Sequence, residues 1–411
     1  MSEFKNLRKV FHQWSGTTIA FFVYAHFSHD MAHALLIPLL PLIRESLGLN
    51  YLQSGLLISA YTITTGFSHI IMGWLGDRTS RRLVIAIGLV GVGLTTLAVG
   101  LSSAYYPMLF ILVIMGVFSG AYHPSSSSML SEYFEQERMG RVLGLHVLGG
   151  TIGFAMAPVL GGLIADMLGW RFAFIILSIP ALIAVPVVLK KFRLPERAHH
   201  GERLSQTSIG NGVPVKKIPK LSSLGKVLRP IAVICALTIL TQFIAGSAMA
   251  FIPMFLVGKH YISAAYAAML LGVARGGGMV GVLLSGWLSD RWGRKNVLFM
   301  AIAATGPVLY LLTILPFNAA FIVIFVLFGL FMTMRQPAIQ TLLLDTAPPQ
   351  IRGTVIGIYF FLGMEGMSLM QPIAGHFMDI WGIAQVFHII SLISIALSVV
   401  TLLWAIRSKF R

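Results

Sequence analysis

The first long apolar segment of the chain carries four side chains that can exchange protons. His26, His29, Asp30 and His33 follow one another at helical spacing and therefore share one face of a helix. An ionisable group is costly to bury in an apolar environment, so each is a candidate functional residue. The pattern predicts that Asp30 binds and releases protons together with these histidines. The alternative is a hydrogen-bonded cluster that only holds helices together.

Histidine and aspartate are also metal ligands, but little else in the sequence supports a metal site. No second carboxylate accompanies the four residues, and the single cysteine, Cys235, lies in another apolar segment. Metal sites usually combine three or four such ligands. We therefore expect neither a metal ion nor another cofactor.

The C-terminal half carries cations in its apolar segments instead. Arg275 precedes three consecutive glycines, and Arg335 lies in a later apolar segment. Arginine keeps its charge in proteins, so each needs a carboxylate partner or an anionic ligand. Glu365 is the nearest candidate partner. The pattern predicts a cationic substrate pocket, and an Arg–Glu pair that only joins helices is the alternative.

Further polar side chains in apolar segments complete the candidate binding residues. Each alone is more typical of a packed, hydrogen-bonded side chain than of a ligand. Together with the first segment they make the N-terminal half rich in histidine, which titrates near neutrality and indicates pH-dependent activity. They are His69, Tyr122, His123, His146 and Gln336.

The composition is that of a membrane protein. The 411 residues are 56% apolar and only 11% charged, whereas soluble domains contain roughly 25% charged residues. The net charge of +16 does not indicate nucleic-acid binding, because no folded polar domain exists to present the cations. A basic balance is instead typical of the cytoplasmic loops of a membrane protein.

Twelve continuous apolar segments are long enough to cross a bilayer as helices, and they lack the alternation of membrane-spanning strands. We expect the first six at 16–42, 52–75, 83–102, 107–130, 142–165 and 171–189. The second six are expected at 231–257, 265–288, 297–315, 319–343, 354–377 and 383–406.

The distribution of cations predicts the topology. Most lie in two short loops and in the polar stretch 190–229, whereas the opposite loops hold only Arg44, Arg171 and Lys259. The positive-inside rule then places both termini in the cytoplasm, in a cytoplasmic (inner) membrane. We expect an N-terminal six-helix half at 1–189, a basic cytoplasmic linker at 190–229 and a C-terminal six-helix half at 230–411.

A charged loop sequence occurs at equivalent places in the two halves, which indicates an internal duplication. Residues 73–82 read G-W-L-G-D-R-T-S-R-R and residues 286–295 read G-W-L-S-D-R-W-G-R-K. Both resemble the loop motif G-x-L-x-D-R-x-G-R-R of the major facilitator superfamily, with Ser80 at a glycine position. The resemblance implies an all-α fold of twelve transmembrane helices and transport by alternating access. It also implies a gating role, with positive-inside anchoring as the alternative, for Gly73, Asp77, Arg78, Gly286, Asp290 and Arg291.

Shorter motifs resemble particular members of that superfamily. F-S-H-D at 27–30, P-L-L-P at 38–41 and Y-H-P-S at 122–125 resemble the fosmidomycin-resistance-like exporters, which favour F-H-P-E at the last place. Gly144, Gly153, Ala157, Pro158 and the glycines at 161–162 resemble the antiporter motif, with Ala157 at one glycine position. Close packing of helices through small residues is the alternative. These resemblances imply a monomer in the lipid bilayer that exports a small anionic or polar compound, such as an antibiotic, in exchange for protons.

Two other functions remain open. A proton-coupled importer of an organic anion would use the same residues, because the gradients decide the direction of transport. A membrane sensor that does not transport would make Asp30 and Arg275 dispensable. An enzyme is not expected, since no nucleophile–base pair stands out.

Overall fold

The computed structural model describes residues 16–134, 139–191, 221–346 and 352–409. Within these ranges the chain forms α-helices and no strands, and ten helical segments are long and apolar enough to cross a membrane. The first eight helices are α1 (Gly16–His33), α2 (Leu36–Leu47), α3 (Tyr51–Arg78), α4 (Arg81–Leu101), α5 (Tyr105–Ser119), α6 (Tyr122–Tyr133), α7 (Met139–Leu168) and α8 (Trp170–Lys191). The others are α9 (Leu221–His260), α10 (Ala264–Trp292), α11 (Arg294–Ile314), α12 (Ala319–Thr346), α13 (Arg352–Trp381) and α14 (Ile383–Lys409).

These helices follow the twelve expected segments, but the first and the fourth segment are each divided in two. Proline breaks a helix at the residue four positions before it, because its ring clashes with that residue's carbonyl and it has no N–H to donate. Pro38 therefore accounts for the break at Ala34 between α1 and α2. Pro124 accounts in the same way for the break at Gly120 between α5 and α6.

The helices form two compact units. The first comprises Met1–Leu36 and Ala60–Val215, and the second comprises Ile37–Ser59 and Lys216–Arg411. A core in the first unit is built on Phe22, Leu89 and Leu130, all fully buried. A core in the second unit is built on Val297 and Ile339, which are also fully buried.

The short segment Ile37–Ser59 packs within the second unit through its contacts with α13. The carboxylate of Asp379 accepts hydrogen bonds from the backbone N–H groups of Tyr51 and Leu52, at 2.8 and 2.9 Å. These N–H groups begin α3 and have no partner within their own helix. The expected linker between two halves of the chain stays a prediction. Residues 192–220 lie outside the described ranges, and α9 begins at Leu221.

Candidate proton and substrate sites

Asp30 lies near the end of α1 among three imidazole rings of the first unit. Its Oδ2 atom is 3.2 Å from Nε2 of His26, and its Oδ1 atom is 2.8 Å from Nδ1 of His29. Nε2 of His123, from α6, lies 3.6 Å from Oδ1. The side chain of Asp30 is only 17% exposed and that of His29 is fully buried. The fold thus brings together the residues expected to bind protons.

The protons on His26 are positioned by α7. Nδ1 of His26 lies 2.7 Å from the backbone carbonyl oxygen of His146. A carbonyl oxygen only accepts hydrogen bonds, so Nδ1 must carry a proton and donate it. In the neutral ring Nε2 then has a lone pair, and this lone pair faces the carboxylate of Asp30. The contact between His26 and Asp30 is favourable only when a proton lies between the two groups.

His29 is oriented in the same way by the broken fourth segment. Its Nε2 lies 3.2 Å from the backbone carbonyl oxygen of Ser119, the last residue of α5. Nε2 must therefore donate, and Nδ1 presents a lone pair to Asp30 unless the ring is protonated. Both oxygens of Asp30 thus face nitrogens that attract a proton. When the imidazoles are neutral and the carboxylate is ionised, neither contact has a proton to share. One added proton makes one of the two contacts a hydrogen bond, and a second added proton does the same for the other.

The other predicted residues of this half contact the histidines of the cluster or their partners. Nδ1 of His33 lies 3.0 Å from the Ser119 hydroxyl and also bonds to the hydroxyl of Tyr61. The ring of Tyr122 is buried and stacks on that of His29, with centroids 4.9 Å apart. The ring of His69 meets that of His123 at 5.8 Å.

The exposure of His123 differs from that of its neighbours. Its side chain is 41% exposed, whereas that of His26 is 7% exposed. His123 is therefore the most exposed of the side chains that contact Asp30.

Close packing of α7 against α1 holds the cluster in place. A Cβ atom added at Gly150 would lie 2.5 Å from Oδ2 of Asp30, and one added at Gly149 would lie 2.5 Å from the carbonyl oxygen of Val23. His146 stacks on His26, with ring centroids 4.2 Å apart. Glycine at these positions is therefore a packing requirement, because any side chain would push α7 away from the carboxylate.

The spacing of the cluster would also suit a divalent cation. One ligand atom each from His26, Asp30 and His123 lies within 4.8 Å of the other two. The sequence predicts no metal at these residues, and this stays a prediction. The contacts of His26 and His29 with carbonyl groups need only the N–H protons of the two rings.

A cavity of about 150 Å³ in the second unit contains Arg335 and Gln336, as the sequence analysis expected of a substrate pocket. Arg335 is 2% exposed and is held by hydrogen bonds within this unit. Arg275 is partly buried on α10 and is not among the described residues that line this cavity. The side chain of Glu365, expected to pair with an arginine, lies outside the described part of the structure.

The first copy of the loop motif lies where α3 meets α4. The guanidinium group of Arg81 donates to Asp77 at 3.1 Å, and Arg78 lies over the ring of Trp74 at 4.4 Å. Gly73 packs toward Pro124 on α6, at 3.6 Å from an added Cβ atom.

The second copy lies where α10 meets α11. Asp290 is exposed there, Arg291 lies over Trp287 at 4.1 Å, and Arg294 pairs with Asp345 at the end of α12. A Cβ atom added at Gly286 would meet no atom within 4 Å. The gating role of both loops stays a prediction.

The difference between the two loop copies has a backbone explanation. Gly293 begins the turn before α11 with a φ of 84°, a conformation that side chains other than glycine rarely adopt. Ser80 occupies the equivalent position before α4 with a φ of −80°. The first copy therefore needs no glycine there, and the departure from the family motif does not strain the chain.

Several residues of these sites were missed by the sequence analysis. Ser119 and Tyr61 bond to the histidines, Gly150 allows α7 to approach, and Gln242 accepts a hydrogen bond from Arg335. The glycine pair at 149–150 was visible in the sequence as a small-residue site on one helix. The contact of Ser119 with His29 had no signal in the sequence, because it uses a backbone carbonyl group at the helix break.

The helices, the repeated loop and the ionisable residues inside the spans together define a polytopic helical membrane protein of the transporter class. A family model described as Major Facilitator Superfamily matches residues 22–369 and 234–410. The chain belongs to this superfamily. The expected all-α fold of twelve transmembrane helices in two six-helix halves is thereby confirmed, and the chain is a transporter rather than an enzyme.

Individual proteins that resemble this chain share a quarter or less of its residues. The cis,cis-muconate transport protein of Acinetobacter baylyi is 25% identical over 81% of this chain and 80% of its own length. The multidrug resistance protein MdtG of Citrobacter koseri is 25% identical over 79% of each chain. The crystal structure of the nucleoside transporter NupG aligns with a TM-score of 0.74, at 16% identity, over 94% of this chain and 98% of that one. This last likeness concerns the fold alone.

Proposed function

We propose that the protein is a proton-coupled secondary transporter and that it exports a small anionic or polar compound in exchange for protons. The observation that carries this proposal is the environment of Asp30. Its two oxygens face Nε2 of His26 and Nδ1 of His29, and the other nitrogen of each ring donates to a backbone carbonyl group. A site built in this way is stable when it holds a proton and is repulsive when it does not.

Such a site couples protonation to conformation. When the proton leaves, the lone pairs of two imidazoles face a carboxylate in a largely buried location, and this contact is unfavourable. α1 would then shift relative to α7 or α5 so that Asp30 finds other donors. A ligand that favours one of two arrangements shifts the population between them, and here the ligand is the proton. Alternating access follows if the two arrangements open to opposite sides of the membrane.

Efflux is supported by the relatives and by sequence resemblance. The relative MdtG is named a multidrug resistance protein, and the motifs at 27–30 and 122–125 resemble the fosmidomycin-resistance-like exporters. An imposed pH gradient across proteoliposomes tests the direction. The labelled probe is 4-hydroxybenzoate, a small polar anion of the proposed cargo class, and protein-free liposomes correct for leak. An antiporter accumulates the compound when the interior is acidic. Accumulation only when the exterior is acidic would instead show symport.

Import of an organic anion is the second candidate, and one observation favours it specifically. Another relative is named a cis,cis-muconate transport protein, and Arg335 gives the second unit a cavity that suits an anion. The same proteoliposome experiment separates the two candidates. In either case we propose a cytoplasmic membrane location with both termini in the cytoplasm, as the cation distribution indicates.

A further inference from the structure

Arg335 lies deep within α12, about 16 Å from the nearer end of the helix at roughly 1.5 Å per residue. Its guanidinium group donates to three oxygen atoms within the second unit. Nε donates to the carbonyl oxygen of Met332 at 3.3 Å, and one terminal nitrogen donates to that of Thr238 at 3.2 Å. The other terminal nitrogen donates to Oε1 of Gln242 at 2.7 Å.

These partners fix the position of the cation but do not balance its charge. All three are neutral oxygen atoms, and no carboxylate pairs with Arg335 among the side chains the structure describes. A buried charge is normally paired or bound to a ligand of opposite sign. The guanidinium group has five N–H donors, so two remain beyond the three bonds to oxygen. One of these two faces the sulfur of Met332 at 3.4 Å, which is a weak acceptor.

Gln242 supplies a second donor at the same place. Its Oε1 atom accepts from Arg335, which fixes the orientation of the amide because the opposite orientation would bring two donors together. The amide nitrogen consequently points the other way, where its nearest partner is the sulfur of Met367 at 3.2 Å. A thioether sulfur is a weak acceptor, so an oxygen of a ligand would bind this N–H more strongly.

The cavity beside these donors has a lining of mixed polarity, and its volume is about 150 Å³. Its polar side chains are those of Thr238, Gln242, Arg335 and Gln336. Met332 and Met367 supply apolar surface, and Tyr359 supplies an aromatic ring with a hydroxyl group. A compact molecule with an acidic group and an apolar body matches this lining.

We propose that the cavity binds the carboxylate of a small monocarboxylic acid through Arg335 and the amide of Gln242. This site would be the cargo site of the transporter proposed above, and to that extent the inference rests on that function. A planar carboxylate matches the planar guanidinium group and accepts two hydrogen bonds from it. A second carboxylate on the same molecule would be buried without a cation, because Arg335 is the one arginine or lysine among the described lining residues.

Binding to the purified full-length protein in detergent tests the proposal by titration calorimetry and thermal shift. Benzoate is the monocarboxylate probe, benzamide its neutral counterpart and terephthalate its dicarboxylate counterpart. We expect saturable binding of benzoate and a raised melting temperature. Benzamide should bind at least about tenfold more weakly because it loses a charged hydrogen bond. Terephthalate should also bind at least about tenfold more weakly because its second carboxylate would be buried without a cation. Equal affinity for benzoate and benzamide, or no benzoate binding, would overturn the proposal.

Two variants test the residues separately. Arg335→Gln should weaken benzoate binding about 10- to 100-fold. Gln242→Glu keeps the shape of the side chain and supplies an internal carboxylate to Arg335, so it should abolish benzoate binding while the protein stays folded. Gly276→Ala is the control, because its Cβ would meet no atom within 4 Å. Wild-type affinity in Gln242→Glu would contradict the proposed site.

The benzoate binding experiment can be interpreted independently of the test of proton coupling, because binding in detergent needs no gradient. Benzoate binding through Arg335 without proton-driven transport would refute the proposed function alone. Proton-driven transport of a compound whose binding is unaffected by both variants would refute this site alone.

Discussion

Nδ1 of His26 donates a hydrogen bond to the backbone carbonyl oxygen of His146, 2.7 Å away, and this contact joins α1 to α7. It determines that the other nitrogen of His26 faces Asp30 as a lone pair in the neutral ring. A backbone carbonyl cannot change its role with pH. A favourable contact between His26 and Asp30 therefore needs one proton more than a neutral imidazole and a carboxylate supply, as the proposed proton coupling requires.

Replacement of His26 by glutamine should weaken coupling without removing the carboxylate. The amide nitrogen of glutamine always carries hydrogen, so it would donate to Asp30 in every state and stabilise the deprotonated carboxylate. We expect His26→Gln to need a more acidic medium for half-maximal transport, measured as uptake against pH. An unchanged pH profile would show that His26 does not act on the proton site.

The approach of α7 to α1 can be tested with one added methyl group. Gly150→Ala would place its Cβ 2.5 Å from Oδ2 of Asp30, so we expect most proton-driven transport to be lost. Gly144→Ala is the matched control on the same helix, because its Cβ would meet nothing within 4 Å. Equal activity of the two variants would contradict the packing argument. Thermal shift of both proteins separates loss of transport from unfolding.

Arg275 and Arg335 should behave differently, although the sequence pattern predicts the same role for both. Arg335 lines the cavity, whereas Arg275 is not among its described lining residues. We expect Arg275→Gln to keep benzoate affinity within about twofold and Arg335→Gln to reduce it by about tenfold or more. Equal losses in both variants, measured by calorimetry, would indicate one shared cationic site.

The cap that Asp379 provides should contribute to stability. Its carboxylate accepts from the backbone N–H groups of Tyr51 and Leu52. Removing an N-terminal cap costs about 1 kcal/mol, so Asp379→Ala should lower the melting temperature measurably. Asp379→Asn retains one acceptor oxygen and should be intermediate. A melting temperature unchanged in both variants would show that water replaces the cap without loss.

Much of this arrangement follows from the sequence because bilayers impose strong patterns. Continuous apolar segments located the helices, and the loop repeat indicated the duplication. The stripe of histidines around Asp30 was visible from helical spacing alone, since those residues share one helix. The convergence of His123 and His146 on that stripe was not, because it depends on how α6 and α7 pack on α1.

Backbone groups were the least predictable part of the sites. The carbonyl groups of Ser119 and His146 orient two histidines, yet a carbonyl group has no signature in a sequence. The role of Ser119 depends on the helix break that Pro124 produces, and that of Gln242 depends on the packing of α9 beside α12. A side chain with a clear signal can also stay untested. Glu365 was predicted to pair with an arginine because of its depth in a span, and its side chain lies outside the described part of the structure.

The most direct test of the account is gradient-driven uptake by Asp30→Asn in proteoliposomes with an acidic interior, alongside the wild-type protein. Asparagine keeps the size of the side chain but cannot carry the transported proton. We expect the wild type to accumulate labelled 4-hydroxybenzoate and the variant to lose accumulation, while exchange of the compound across the membrane without a gradient persists. Accumulation by Asp30→Asn at the wild-type level would contradict the central claim that Asp30 couples protons to transport.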